Sequence, residues 1–205
     1  MDAGGCTHVL WDFNGTLLDD LDVSVAAVSD MLASRGRAPM TRSRYYELME
    51  MPIIRYYEKL FDLSRDPFEI LSREFVEGYA RHFELARLAP GAREAVERFA
   101  ARGCRQIVLS SLRQFGLADA FEAVLGADNI RSESKIGRAR DWLQNSGAQP
   151  GQILVIGDLI HDWEVAQALG ARCVLLSCGH QARADLLRCG CPVVSNLHQL
   201  WQIIK

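Results

Sequence analysis

The chain has 205 residues, of which 49% are hydrophobic, and a formal net charge of -3 at pH 7. This length and composition suffice for one α/β domain with an inserted subdomain. The charge argues against a nucleic-acid-binding surface, and the sequence shows neither a signal peptide nor an apolar run long enough to cross a bilayer. We therefore expect a cytoplasmic protein that contacts neither nucleic acid nor membrane.

Residues 7–19 change from an apolar run to polar, turn-forming residues. Val9 to Trp11 predict a buried strand of a parallel sheet, which places Asp12 at its carboxyl end. In open α/β sheets ligands bind beyond those ends, and Gly15 allows a sharp turn and a close backbone approach to a ligand. The alternative is that Asn14 and Gly15 form only a turn that Asp12 caps.

Residues 18–88 carry mainly helical spacing of apolar residues. Proline stands at or near the start of two of these segments, where helices tolerate it, and Gly36 ends the first segment. The pattern predicts a small all-helical cap, inserted between two strands, that acts as a lid. The predicted helices cover about residues 20–35, 41–49, 52–61 and 67–86.

The rest of the chain alternates between strand and helix patterns. The predicted strands cover residues 106–111, 123–125, 153–156, 173–176 and 193–194. The predicted helices cover residues 92–102, 138–145, 163–169 and 182–187, with two more beginning near Arg113 and at the C-terminus. This alternation predicts an α/β core with a doubly wound, Rossmann-like parallel sheet. The core would comprise residues 1–17 and 89–205, and the helical cap residues 18–88.

Three of the predicted strands end in residues that suit phosphoryl chemistry. Asp12 ends the first, Ser110 the second and Asp158 a later one, with Asp162 one helical turn beyond. Converging carboxylates suit Mg²⁺, which takes oxygen ligands and leaves room for a substrate phosphate. Lys135 would add a positive charge for the non-bridging phosphoryl oxygens. Asp12 would then be free to attack phosphorus.

These residues resemble the four motifs of the haloacid dehalogenase superfamily, in the order and approximate spacing of its phosphoglycolate phosphatase-like members. The motifs are Asp12-Phe-Asn-Gly-Thr16, Ser110 after an apolar strand, Lys135, and Gly157-Asp158-x-x-x-Asp162. The resemblance spans nearly the whole chain and includes the helical cap inserted after the first motif. It implies a phosphatase of small phosphorylated metabolites that uses Mg²⁺ and forms an aspartyl phosphate.

The resemblance also assigns metal ligands. Asp12, the nucleophile, would hold Mg²⁺ together with the backbone carbonyl of Asn14 and the carboxylates of Asp158 and Asp162. Asp162 matches an acid that acts through water or orients its neighbours. For both acids of that motif the alternative is a helix cap.

The remaining motif residues are assigned to the phosphoryl group. Gly15, Thr16, Ser110 and Lys135 match the residues that surround it, and Ser111 is the fallback for Ser110. For Lys135 the alternative is a salt-bridged surface lysine.

Asn14 departs from the family pattern, which has an aspartate that protonates the leaving alkoxide and later activates water. An amide cannot do this, and losing general acid-base help typically costs about 100- to 10,000-fold in rate. We therefore predict slow turnover of alkyl phosphates and faster turnover of aryl or acyl phosphates. His161 is a candidate substitute acid, although it equally fits an ordinary histidine bonded to a carboxylate. Deamidation of the Asn14-Gly15 pair would restore an aspartate.

Other functions stay open on the same residues. One is a catalytically impaired phosphometabolite-binding or regulatory protein. Another is a dehalogenase, which needs no Mg²⁺, and a third is a phosphonatase that would use Lys59, the one lysine of the cap, as a Schiff base.

The substrate is less determined than the chemistry. Seven cap residues are available to recognise a second anionic or planar group, or to pack within the cap: Arg42, Arg44, Tyr45, Tyr46, Arg55, Tyr56 and Tyr57. The sequence makes no prediction of oligomeric state.

The chain contains six cysteines. Without an export signal they are expected to be reduced thiols, most of them core residues. A zinc site built from Cys173, Cys178, Cys189 and Cys191 is the alternative, although their spacing is not that of a paired C-x-x-C knuckle.

Overall fold

A parallel sheet forms the centre of the protein in the computed structural model, which describes residues 5–109, 120–125 and 135–204. Its strands are β1 (His8–Trp11), β4 (Arg105–Val108), β5 (Ala123–Val124), β6 (Ile153–Gly157), β7 (Arg172–Leu176) and β8 (Val193–Val194). Their order is β5-β4-β1-β6-β7-β8, and every neighbouring pair is parallel. The chain therefore winds outward from β1 in both directions.

Strand β1 lies in the middle of the sheet and is buried on both faces. Leu10 packs into one hydrophobic cluster, whereas Val9 and Trp11 pack into the other. This follows from the strand geometry, in which successive side chains point to opposite faces. Gln106 on β4 satisfies the indole of Trp11, since Trp11 Nε1 donates to Gln106 Oε1 over 2.9 Å.

Helices cover both faces of this sheet, as the sequence predicted. They are α5 (Ala92–Ala101), α6 (Lys135–Ser146), α7 (Ile160–Leu169), α8 (Arg183–Leu186) and α9 (Leu200–Ile203). Phe99 of α5 and Leu200 of α9 pack with Trp11, whereas Ala139 of α6 and Val165 of α7 pack with Leu10 on the opposite face. The doubly wound α/β fold is thus confirmed.

Four helices lie between β2 (Leu18–Asp19) and β3 (Arg87–Leu88), which pair antiparallel. These inserted helices are α1 (Leu21–Ala33), α2 (Arg42–Leu48), α3 (Ile53–Leu60) and α4 (Phe68–Arg81). They have a hydrophobic cluster of their own, with Leu32, Tyr56, Leu60 and Leu71 at most 2% exposed. The short β2–β3 pair joins them to the sheet domain.

Some boundaries differ from the sequence prediction. The helix predicted to continue to Ala86 ends at Arg81, because the chain then forms a 3₁₀ turn (Phe83–Leu85) and enters β3. Conversely, α6 already begins at Lys135 and α7 at Ile160. The second predicted strand is described only as far as Leu109, so the helix predicted from Arg113 lies outside the described residues.

All six cysteines are free thiols. Most belong to the core as expected, since Cys104 and Cys173 are buried in the hydrophobic clusters and Cys6, Cys189 and Cys191 pack against them, whereas Cys178 is exposed. Within the described part of the chain, no helix has both the length and the apolar composition to cross a membrane.

Candidate active site

Three carboxylates meet at the carboxyl edge of the sheet. Asp12 follows β1, Asp158 follows the neighbouring strand β6, and Asp162 lies in the first turn of α7. The two strands are held in register by the Asp12 amide, which donates to the carbonyl of Ile156 over 2.8 Å. One oxygen from each carboxylate lies within 4.8 Å of the others, and all three residues are buried.

Lys135, the first residue of α6, supplies a positive charge to this cluster. Its Nζ contacts both Asp12 Oδ1 and Asp162 Oδ1. Burial by itself lowers the pKa of Lys135, but the adjacent carboxylates of Asp12 and Asp162 outweigh it and raise the pKa above its usual value. The ammonium is therefore charged in the metal-free protein, and Lys135 is not a surface lysine.

The cluster places three carboxyl groups beside one ammonium group. Burial, together with the neighbouring Asp162, raises the pKa of Asp12 against the opposing effect of Lys135. Burial raises the pKa of Asp158 well above its usual value, and the charges of Asp12 and Asp162 add to this. Close, buried carboxylate oxygens are a donor set for a hard divalent cation, so the residues fit Mg²⁺.

Asp162 uses both of its oxygens within the protein. Oδ2 accepts hydrogen bonds from the backbone amides of Asp158 and Leu159, each over 3.0 Å, and Oδ1 contacts Lys135. The helix-cap reading of this residue therefore holds, because its carboxylate satisfies amides that precede α7. It also positions Lys135 and the loop that carries Asp158.

The turn after Asp12 supports Asp158 from the other side. Thr16 Oγ1 donates to Asp158 Oδ1 over 3.0 Å. Gly15 has a φ of +73°, and a Cβ at this position would lie 2.2 Å from Asp158 Oδ2. The sequence assigned Gly15 and Thr16 to the phosphoryl group, and in the structure both lie against the carboxylate of Asp158.

Asn14 has its side-chain amide engaged. Asn14 Nδ2 donates to Asp20 Oδ2 over 2.7 Å and to the Tyr79 hydroxyl over 2.9 Å. A carboxylate only accepts hydrogen bonds, so the nitrogen of the amide must face Asp20. The amide nitrogen of Asn14 is therefore bound within the protein, between Asp20 and Tyr79.

Sequence analysis missed Asp20 and His180, which are also buried here. Asp20 Oδ1 accepts from the Gly15 amide over 2.8 Å and lies 3.0 Å from His180 Nε2. The other ring nitrogen, His180 Nδ1, lies 3.0 Å from the Tyr45 hydroxyl, and the His180 amide donates to Asp158 Oδ2 over 2.7 Å.

The surroundings of His180 raise the pKa of its imidazole. Burial alone lowers the pKa of its imidazole, but the hydrogen bond and charge of Asp20, with further contributions from Asp158 and Asp12, raise it to about 9. One feature of the sequence could have identified His180. It follows β7, whose carboxyl end lies on the same edge of the sheet as those of β1 and β6.

The remaining candidates are two serines and His161. Ser110 and Ser111 lie outside the described residues. His161, the candidate substitute acid, lies on α7 with Nδ1 2.9 Å from Glu164 Oε2, which is the carboxylate-bonded arrangement weighed as its alternative.

Gly157 gives a stability prediction for this site. A Cβ at Gly157 would lie 2.1 Å from Asp162 Cγ, and that carboxylate is held by two backbone amides and by Lys135. Gly157→Ala should therefore lower the free energy of unfolding by about 1–3 kcal/mol, as overpacking of a buried position does. Urea denaturation followed by circular dichroism measures this.

Gly151→Ala is the matched control, because a Cβ there meets nothing within 4 Å. Equal stability of the two variants would show that the loop around Asp162 yields without cost.

The chain resembles known hydrolases along most of its length. Residues 9–176 match the family model described as haloacid dehalogenase-like hydrolase. A phosphoglycolate phosphatase of Nitrosospira multiformis is 26% identical over 96% of this chain and 95% of its own length. A phosphoglycolate phosphatase of Pseudomonas fluorescens is 25% identical over 84% of this chain and 70% of its own. A haloacid dehalogenase-like hydrolase from Streptococcus pneumoniae, 17% identical, superposes with a TM-score of 0.83 over 98% of this chain and 99% of its own. The chain therefore belongs to the haloacid dehalogenase-like hydrolase family.

Proposed function

We propose that the protein is an Mg²⁺-dependent phosphatase of small phosphorylated metabolites, with Asp12 as its nucleophile. The observation that supports this most directly is the contact between Asp12 and a charged, buried Lys135 inside a cluster of three carboxylates. Relatives with the name phosphoglycolate phosphatase support the same reaction class.

The proposed reaction has two steps. A carboxylate oxygen of Asp12 attacks phosphorus, an Asp12–phosphate bond forms, and the ester oxygen leaves with its electron pair. Water then attacks phosphorus and breaks the Asp12–phosphate bond, which releases inorganic phosphate and restores the carboxylate. Lys135 stabilises the phosphoryl oxygens and limits repulsion between them and Asp12.

The metal would be held by Asp12, Asp158 and the backbone carbonyl of Asn14. When bound, Mg²⁺ supplies charge neutralisation for the cluster and for the incoming phosphate. Asp162 was also assigned to the metal, and its oxygens contact Lys135 and the amides of Asp158 and Leu159. We propose that it acts by orienting Lys135 and the Asp158 loop. Ser110 remains the proposed phosphate-binding hydroxyl.

We propose that the inserted helices α1–α4 form a cap, residues 18–88, over a core of residues 1–17 and 89–205. Tyr45 and Tyr46 already reach the sheet domain, since Tyr45 bonds His180 and the Tyr46 hydroxyl donates to the Gly179 carbonyl over 3.0 Å. A cap in this position excludes water from the site and contributes contacts to the substrate.

A second candidate is a protein that binds or senses a phosphometabolite without turnover. Asn14 favours it, because its amide nitrogen binds Asp20 and Tyr79 and no acid stands at that position. The contact between the charged Lys135 and the proposed nucleophile, Asp12, favours catalysis instead. Phosphonatase chemistry has little support, since Lys59 lies in a partly exposed ion pair with Glu50, 2.6 Å away.

Hydrolysis of acetyl phosphate tests the proposed function, because this substrate has a good leaving group and needs little of the missing acid. We expect turnover with MgCl₂, loss of turnover after EDTA, and recovery when Mg²⁺ is added back. Beryllium fluoride with Mg²⁺ should trap a phosphoenzyme mimic on Asp12. Turnover that is insensitive to EDTA would contradict the metal role. Binding of beryllium fluoride without any turnover would favour the second candidate.

A further inference from the structure

A largely apolar cavity of about 360 Å³ lies between the inserted helices and the sheet domain, beside Asn14. Its walls on the helical side include Met49, Met51, Ile53, Phe75 and Val76. A volume of this size is in the range of small-molecule sites. The cavity is therefore large enough to hold the organic part of a phosphate ester whose phosphorus lies at Asp12.

A second cavity of about 280 Å³ shares the walls formed by Tyr45, Met49, Ile53, Phe75 and Val76. It continues among the aromatic side chains of the inserted helices, including Tyr56, Tyr57 and Phe68. The apolar surface near the active site thus extends beyond the space that a two-carbon acid would fill.

The polar groups that line the first cavity bind one another. Asp20 accepts hydrogen bonds from Asn14, Tyr79 and Gly15. One ring nitrogen of His180 is bound to Asp20 and the other to the Tyr45 hydroxyl. Among the described residues of the lining there is neither arginine nor lysine. A substrate carboxylate placed here would lose its hydration and meet Asp20, while the imidazole of His180 in the same lining already has both ring nitrogens bound, to Asp20 and Tyr45.

The arginines that the sequence offered for a second anionic group lie elsewhere. Arg42 pairs with Asp22 over 2.6 Å and Arg55 with Glu58 over 3.0 Å, and both arginines are exposed. Arg44 is also exposed and does not line the cavity. Recognition of a doubly anionic substrate through these three residues has no support from their positions.

We propose that the physiological leaving group is an apolar alcohol of the phenol type without a second anionic group. It binds between Asn14 and the apolar wall of the cavity that includes Met49 and Val76. This inference rests on the proposed phosphatase function. It fits the chemistry of Asn14, because a phenolate leaves without the proton that the engaged amide cannot give. Val76 and Phe75 are then specificity-determining residues.

Two aryl phosphates of nearly equal shape test this. The pair is 4-isobutylphenyl phosphate and 4-(carboxymethyl)phenyl phosphate. In both compounds a methylene joins the substituent to the ring. The substituent then ends in two methyl groups in the first compound and in a carboxylate in the second. We expect kcat/KM to favour the neutral ester by about 100-fold, mainly through KM, since apolar contacts and an unpaired buried charge act in the same direction. Equal rates, or a preference for the carboxylate, would overturn the inference.

Val76→Arg and Ile70→Arg form a matched pair of variants. Both residues are exposed apolar side chains on α4, but only Val76 lines the cavity. Val76→Arg should reduce the preference for the neutral ester at least about tenfold, whereas Ile70→Arg should leave it unchanged. Thermal melting checks that both variants fold. An equal effect of the two variants, or none from Val76→Arg, would contradict the assigned wall.

A protein without phosphatase activity would give a different result from one whose cavity is wrongly assigned. If wild type does not hydrolyse acetyl phosphate or either aryl ester, calorimetric binding of the corresponding benzylphosphonates in the presence of MgCl₂ replaces kinetics. Tighter binding of the neutral benzylphosphonate would retain the assigned cavity while rejecting turnover. Equal binding of the neutral and anionic compounds would reject the inference as well.

Discussion

Asp12→Asn should reduce kcat for acetyl phosphate by at least about 10,000-fold, the scale seen when a covalent nucleophile is removed. An amide oxygen does not attack phosphorus to form a stable phosphoenzyme. The beryllium fluoride adduct should disappear together with the turnover. Rapid-quench assays of released inorganic phosphate measure the turnover. Binding of beryllium fluoride to the intact protein measures the adduct.

The variant should remain folded, because it removes one negative charge from a buried cluster in which Lys135 still contacts Asp162. We expect its Tm without metal to be no lower than that of wild type. Asp19→Asn is the control, since Asp19 belongs to the same sequence stretch but is exposed on β2. If Asp12→Asn kept appreciable turnover, another nucleophile would have to be sought.

Asn14→Asp should raise kcat for ethyl phosphate by about 100- to 10,000-fold, the range contributed by general acid-base catalysis. Asn14 Nδ2 lies 2.7 Å from Asp20 Oδ2, so the substitution brings two carboxylates to hydrogen-bonding distance. Two carboxylates this close share one proton, and that proton becomes available to the leaving oxygen. The gain should be smaller for phenyl phosphate, because phenolate needs less protonation.

The double variant Asn14→Asp with Asp20→Asn exchanges the amide and the carboxylate and avoids the charge repulsion. It should also turn over ethyl phosphate faster than wild type, and it shows whether the gain depends on the shared proton. Asn145→Asp, at an exposed position of α6, controls for the added charge. Unchanged rates in both active-site variants would mean that Asn14 is not what limits turnover.

Sequence reasoning located the elements whose patterns are local. The apolar run before Asp12 and the alternation after Pro90 led directly to the parallel sheet, because strand and helix periodicity are written in neighbouring residues. The β2–β3 pair was not predicted, since two residues carry no periodicity and their pairing depends on a partner about 70 positions away. The same pair explains the early end of α4.

The functional residues divide in the same way. Asp12, Lys135, Asp158 and Asp162 were selected from motifs, and the structure places them in one buried cluster. The motifs did not identify three further residues, Asp20, Tyr79 and His180. These residues contact Asn14 or one another across the interface between the inserted helices and the sheet. No spacing rule reports such contacts.

Residue identities and short-range patterns were enough to predict the family, the doubly wound fold and the presence of an amide, Asn14, two positions after Asp12. The partners of the Asn14 amide and its surroundings depend on the tertiary structure. Asp20 and Tyr79 both bind its amide nitrogen, and apolar side chains from α4 and from the segment 49–53 line the space beside it. These relations join segments distant in the chain, so they exist only once the helices have packed against the sheet.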